Sequence, residues 1–311
     1  MSDRKIGVLV MSYGTPESMD GIAEYYTHIR RGNPPSPEML AELTARYEAI
    51  VGGVFPLRAN TDRQVQALQE TLDAAAPGRY VCYQGLKHAR PFIEDGVEAM
   101  AADGIRKAVG IVLAPHYSVM SVGGYIKRAQ EKAEALGLEA EFVKSYHLHP
   151  KLIEALRVRL VSGLEKLAAA GEGKTKVLFS AHSLPEKIRE MNDPYERQLL
   201  ETATAAAEAA GVSDWDFTWQ SAGRTREPWL GPDILETLRD VSEQGYRKVL
   251  SAPIGFVSDH LEVLYDIDIE AKAAARELGM TLERIEMLNT DPLYMEALAE
   301  SVTEADRWRG E

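Results

Sequence analysis

Short apolar runs of strand length alternate along this chain with longer segments of helical period. Ile6 to Met11 reads as a strand, and Tyr80 to Gln84, Ala108 to Leu113 and Glu141 to Ser145 follow it. Between them the pattern predicts helices over Glu24 to Arg31, Glu38 to Ile50, Thr61 to Ala76 and Pro91 to Ala102, and a last one running to Gly137. The second half continues the alternation. Strands are expected at Val177 to Phe179, Phe217 to Gln220 and Val249 to Ala252, with helices over Leu152 to Ala170, Tyr195 to Ala210 and Pro232 to Ser242, and with the segment from Val257 continuing as helix to Leu278. Strands separated by helices imply mostly parallel, doubly wound sheets.

The halves also echo each other. Gly104-Ile105-Arg106-Lys107, a short strand and Ala114-Pro115 reappear as Gly245-Tyr246-Arg247-Lys248, a short strand and Ala252-Pro253. The expected fold is α/β. It has two similar Rossmann-like lobes, each a mostly parallel four-stranded sheet flanked by helices, with a cleft between them. The expected boundaries are 1–150 for the first lobe, 151–290 for the second, and 291–311 for a C-terminal helix that packs back on the first.

In open α/β sheets ligands bind beyond the carboxyl ends of strands, which directs attention to two turns. His182 follows the Val177 strand, and Ser183, Pro185 and Glu186 read as a helix start with a Ser-x-x-Glu capping box. The positive end of such a helix disfavours imidazolium. His182 would then be a neutral imidazole able to take a proton or bind a metal, or else a histidine bonded to its own loop. Tyr13 holds the like position after the first strand, with Thr15 as cap and Pro16 just inside the helix. The competing reading is a core tyrosine with a bonded hydroxyl.

Three carboxylates recur at intervals of four: Glu262, Asp266 and Glu270. On an α-helix each step of four advances about 40° beyond a full turn, so the three share a face. Like charges at this spacing cost helix stability, yet a row of hard oxygen donors can pass a divalent cation inward. The alternative is a solvated acidic face. Arg30, Arg31, Arg46 and Arg58 fall among Tyr25, Tyr26 and Tyr47, a mixture that can grip a flat, carboxylated ligand by pairing and stacking or simply solvate helix surfaces. His147-Leu148-His149 could bind a metal, but Pro150 marks a surface loop. Gly171 to Thr175 looks like the tail of a phosphate-binding loop, but its first glycine is replaced by Ala168 and it precedes a strand. There is neither a Gly-x-Gly-x-x-Gly nor a Gly-x-Ser-x-Gly, so dinucleotide and serine-hydrolase readings lose their usual support.

Composition narrows the choice. At 311 residues, with 45% hydrophobic and 27% charged positions, the chain suits two globular domains. A single cysteine, Cys82, excludes an internal disulfide or a cluster held by several thiolates of one chain. A formal charge of −13 argues against binding nucleic acid or anionic membranes, and it means that an anionic ligand needs a local basic patch. With no apolar run of membrane-spanning length and no signal-peptide pattern before Ile6, a cytoplasmic location is expected.

Assembled, these segments resemble the ferrochelatase family, which inserts Fe2+ into porphyrins, over nearly the full length. The resemblance is carried by Ser12-Tyr13-Gly14-Thr15-Pro16, Tyr25-Tyr26-Thr27-His28-Ile29-Arg30-Arg31-Gly32, Arg46-Tyr47-Glu48-Ala49-Ile50 and Gly85-Leu86-Lys87-His88. Further on come Leu113-Ala114-Pro115-His116, Ser180-Ala181-His182-Ser183-Leu184-Pro185-Glu186, Trp229-Leu230-Gly231-Pro232 and Gly255-Phe256-Val257-Ser258-Asp259-His260-Leu261-Glu262. The chain most resembles the soluble enzymes of Gram-positive bacteria that make coprohaem from coproporphyrin III.

The resemblance implies that His182 and Glu262 are catalytic and meet the metal from one side of the macrocycle. It implies that Tyr13 ligates the product iron from the other side, with Asp266 and Glu270 as an outer metal path. Arg30, Arg46, Tyr47 and Tyr125 match contacts to the macrocycle or its propionates. No cofactor is held permanently; Fe2+ is a substrate, with room for a further divalent cation at Asp266 and Glu270. Transient contact with neighbouring haem-pathway enzymes is the only protein partnership implied. One departure stands out: Phe55 precedes Pro56-Leu57 where the family often has serine, in a loop one residue longer. The rival readings are a protoporphyrin IX ferrochelatase, a sirohydrochlorin chelatase with the same architecture, and a porphyrin- or haem-binding protein without turnover.

Overall fold

A computed structural model describes residues 5–50, 52, 55–223 and 225–307. The chain divides into two compact units. The first takes the chain up to Pro115, then Ser121–Tyr146, then everything from Asn289; the second takes His116–Met120 and His147–Leu288. The chain therefore passes from one unit to the other four times.

The first unit contains β1 (Ile6–Ser12), α1 (Ile22–Ile29), α2 (Pro37–Ile50), α3 (Pro56–Ala75), β2 (Tyr80–Leu86), α4 (Ile93–Ala102), β3 (Lys107–Val112), α5 (Val122–Ala135) and β4 (Glu139–Val143). Its strands pair in parallel in the order β2-β1-β3-β4, with Ile6 opposite both Tyr80 and Lys107. Every residue of β1 is buried, which explains its unbroken apolar run: a central parallel strand is covered on both faces.

The second unit contains α6 (Pro150–Ala169), β5 (Thr175–His182), α7 (Tyr195–Ala210), β6 (Trp215–Gln220), α8 (Ile234–Glu243), β7 (Lys248–Ala252), α9 (Leu261–Leu264), α10 (Lys272–Glu277) and β8 (Thr281–Arg284). Its four parallel strands run β6-β5-β7-β8, the same order as in the first unit. A final helix, α11 (Pro292–Arg307), belongs to the first unit. It packs on α3, β3 and β4. Tyr294, Leu298 and Val302 are fully buried there, each contributing roughly 1.5 to 3 kcal/mol of apolar burial. The Tyr294 hydroxyl lies 3.1 Å from that of Tyr146, which donates to the Val112 carbonyl.

Three predicted helices take other forms. After Gly14, at φ +84°, the chain runs irregularly to a 3-10 turn at Met19–Gly21 before α1 begins at Ile22. After His182 there is only a 3-10 turn, Glu186–Arg189. Ser183 does not cap it; the hydroxyl donates to the Leu230 carbonyl at 2.7 Å. The helix expected to carry the three carboxylates on to Leu278 is broken into α9, a π-helical segment (Asp266–Ala271) and α10. Here the Glu270 N–H reaches the Tyr265 carbonyl five residues back, at 3.0 Å.

Candidate active site

The carboxyl ends of β5 and β6 lie side by side in the second unit, His182 in register with Gln220. Gln220 joins three segments. Its Oε1 accepts from Ser180 Oγ at 2.9 Å, its Nε2 donates to the Glu262 carbonyl at 2.8 Å, and its own carbonyl accepts from Ser183 N at 2.8 Å. The Tyr195 hydroxyl donates to the His182 carbonyl at 3.0 Å. From the end of β7 the chain turns back against β5 at Gly255, whose N–H donates to Ser180 O. A Cβ there would lie 2.4 Å from the Ala181 Cβ and 2.8 Å from its Cα, so only glycine permits this approach. The approach delivers the segment ending in Glu262 to the His182 ring.

The imidazole is oriented by its own backbone. Nδ1 donates to the Ser183 carbonyl at 2.5 Å, which leaves Nε2 facing Glu262 Oε1 at 3.5 Å. The other carboxylate oxygen, Oε2, lies 3.6 Å from His260 Nε2. His260 is fixed in turn, with Nδ1 donating to Ser258 O at 2.9 Å and its ring against Phe256. One carboxylate thus stands between two imidazoles. The side chains of His182 and Glu262 keep 32% and 30% exposure, so the pair has an open side.

Burial opposes the imidazolium at His182, but the Glu262 charge and hydrogen bond, the Ser183 carbonyl and more distant Asp266 outweigh it and raise the pKa to about 9. Burial likewise opposes the carboxylate at Glu262, and the two histidines outweigh it, holding its pKa well below the usual range. Both shifts run in the direction that favours an imidazolium–carboxylate pair near neutral pH. The neutral imidazole expected from a following helix dipole is not the resting form, because no helix of useful length follows and Glu262 is close.

The carboxylate row is not a straight stripe. Through the π-helical segment four residues fall short of a turn instead of overshooting it. Asp266 is 6% exposed and accepts a hydrogen bond from Ser221 Oγ; Ser221 sits at φ +59°, a conformation uncommon outside glycine. Glu270 is exposed. Asp268 points elsewhere, to Arg284 at 2.8 Å and Lys272 at 3.4 Å, and Arg284 also holds Asp259. Among the described residues no three His, Cys, Asp or Glu side chains are grouped to hold a metal ion.

The remaining predicted residues belong to the first unit. Tyr13 follows β1 and is 41% exposed. Arg30 ends α1, its guanidinium over Tyr26 and its Nε donating to the Asn33 carbonyl. Arg46 is half-buried on α2. Tyr47 is buried with its ring 5.0 Å from that of Phe55. Phe55 is itself 4% exposed, so the departure from serine is an apolar packing residue; residues 51, 53 and 54 of its loop lie outside those described. Tyr125 is buried on α5 beneath the Lys87 ammonium, 4.8 Å from the ring centroid.

His260, Ser221 and Trp229, whose ring lies 6.4 Å from that of His182, are site residues to which the sequence alone assigns no individual role. A His-x-Glu pair was the available signal for the first; nothing local marks the other two.

The ferrochelatase family model matches residues 5–306. The chain is 48% identical to a coproporphyrin III ferrochelatase of Anoxybacillus flavithermus, with 100% of this chain and 99% of the relative covered. It is 48% identical to that of Bacillus subtilis over 96% and 97%, and 45% identical to a ferrochelatase of Herpetosiphon aurantiacus over 96% and 98%. In fold it is similar to the sirohydrochlorin chelatase SirB from Bacillus subtilis subspecies spizizenii in complex with cobalt, at a TM-score of 0.61 and 13% identity over 99% and 98% of the chains.

Proposed function

The chain belongs to the ferrochelatase family, and we propose that it inserts Fe2+ into coproporphyrin III to give coprohaem. In this reaction two pyrrole N–H protons leave as one Fe2+ enters, so the site must both donate to a metal and accept protons. The observation that carries the reading is the His182–Glu262 pair, with Nε2 and Oε1 3.5 Å apart. A first-row cation bound to a nitrogen and an oxygen at about 2.1 Å each keeps the two within about 4 Å. The space that holds one proton in the resting protein therefore suits Fe2+. Capturing the metal releases the imidazolium proton. The anionic carboxylate beside His182 then supports proton removal from the macrocycle, with His260 keeping Glu262 aligned.

Tyr13 is read as a ligand of the product iron, and Arg30, Arg46, Tyr47 and Tyr125 as contacts to the macrocycle or its propionates. Asp266 and Glu270 are read as an outer route for the metal and as the place where a further divalent cation could bind. Among the described residues no helix is long and apolar enough to cross a membrane, which supports action in the cytoplasm, with passing contacts to enzymes that supply the porphyrin or take the coprohaem.

The substrate is tested by comparing kcat/KM for coproporphyrin III and protoporphyrin IX in the same detergent. The rings are alike but carry four propionates against two. One charge-assisted contact contributes on the order of 1.5 to 3 kcal/mol, and about 1.4 kcal/mol is tenfold. Preference for coproporphyrin III by tenfold or more is therefore expected. Equal values, or preference for protoporphyrin IX, would leave the iron-insertion reading and remove the coproporphyrin one.

A further inference from the structure

Tyr13 is a large, exposed side chain at the carboxyl end of β1, and its backbone is tied on both sides. Its carbonyl accepts from His88 N at 2.9 Å, the Ser12 carbonyl accepts from Lys87 N at 2.9 Å, and the Gly14 carbonyl accepts from the Tyr25 hydroxyl at 3.2 Å. Gly14 itself turns the chain at φ +84°, where a Cβ would press on Ala89 and Leu86 at 3.0 to 3.1 Å.

The Tyr13 ring is supported as well. It lies on His88, with ring centroids 4.6 Å apart and planes tilted by 53°. His88 in turn shares a hydrogen bond with His28, Nδ1 to Nδ1 at 3.0 Å. One ring must donate and the other accept, which fixes both rings with Nε2 turned away from the bond. His28 stacks on Phe92, 5.0 Å between centroids and 19° between planes. The Phe92 N–H is held by Asp95 Oδ2 at the start of α4. A relay of rings thus runs from the base of α4 through Phe92, His28 and His88 to Tyr13.

We propose that His88, held by its hydrogen bond to His28, is a positioning residue for Tyr13: it fixes the tilt of the phenol ring so that one orientation of the hydroxyl oxygen is presented to the iron of the ferric product. The proposal rests on the reading of Tyr13 as a product ligand. A ring set in advance loses less freedom on binding, an advantage of about three- to tenfold in affinity for one immobilised side chain.

The probe is ferric coprohaem, added to the wild-type protein and to Tyr13→Phe, His88→Ala and His28→Phe. Two quantities are read: the phenolate-to-iron charge-transfer absorption and the Kd. Tyr13→Phe should lose the band. His88→Ala should weaken or shift it and raise Kd about three- to tenfold, and His28→Phe should act in the same direction. His28 is exposed, so the His28 variant decides the matter if His88→Ala folds poorly. Wild-type band and Kd in both histidine variants, with the band lost in Tyr13→Phe, would overturn the positioning role. A band that survives Tyr13→Phe would instead show that Tyr13 is not a ligand, and the inference would fall with that reading.

Discussion

His182→Ala is expected to abolish iron insertion, lowering kcat by about 100- to 10,000-fold, the range for losing one positioned acid–base group, while coproporphyrin III still binds. The substitution removes the Nε2 that faces Glu262 Oε1 and leaves His260 beside the other carboxylate oxygen. The porphyrin-gripping candidates lie in the first unit and are untouched. Binding is followed by quenching of porphyrin fluorescence and turnover by the appearance of the metalloporphyrin spectrum. A purified variant that retained most of its turnover would make His182 a structural residue. So would one that lost turnover only because it no longer bound porphyrin.

Glu262→Gln should be nearly as inactive, with a diagnostic change in pH dependence. In the wild-type protein Fe2+ competes with a proton at His182, whose pKa lies at about 9, so apparent Fe2+ affinity should improve as pH rises toward that value. The amide removes the main groups raising it, and burial, which disfavours imidazolium, then prevails. The rising limb should move to lower pH. Stability gives an independent check. The His182 contribution is fully present below its ordinary value of 6.5 and fades as pH rises through about 9. The Glu262 contribution is present above 4.5 and fades as pH falls. The loss of thermal stability in Glu262→Gln should therefore be largest between roughly pH 5 and 6.5 and shrink on either side. Asp266→Asn and Glu270→Gln should act mainly on KM for Fe2+. Equal losses of kcat at saturating Fe2+ in all three variants would point instead to disruption of the segment from Leu261 to Glu277.

The strands most easily read in the sequence are those buried on both faces. β1 and β5 present nearly continuous apolar runs because helices cover them above and below, and so the parallel two-sheet class follows from pattern alone. β8 escapes such reading because it is four residues long and Leu282 alone of the four is buried. The break in the segment after Glu262 is also invisible locally. Its residues have ordinary helical spacing, but Gln220, Ser221 and Arg284 grip the Glu262 carbonyl, Asp266 and Asp268 from other strand ends. Such tertiary demands override propensity. The protonation of His182 is misjudged from sequence for the same reason: capping logic supplies a helix dipole, whereas the deciding charge arrives on a remote segment. The motif that includes His260 points to the family, but its ring meets the second oxygen of Glu262 only once the chain is folded.

The interleaving of the two units along the chain bears on the order in which the protein can be made. The second unit lacks only five residues, 116–120, from being one unbroken stretch between His147 and Leu288. The first unit begins at the amino terminus but is not complete until α11, with its buried Tyr294, Leu298 and Val302, has been synthesised and packs on β3 and β4. Domains usually mature on the ribosome from the amino end; here the unit that starts first should finish last. A chain stopped after Leu288 should therefore show protease resistance across 147–288 and rapid cleavage around β3 and β4. Uniform resistance of that truncated chain would mean that the early unit closes without its last helix.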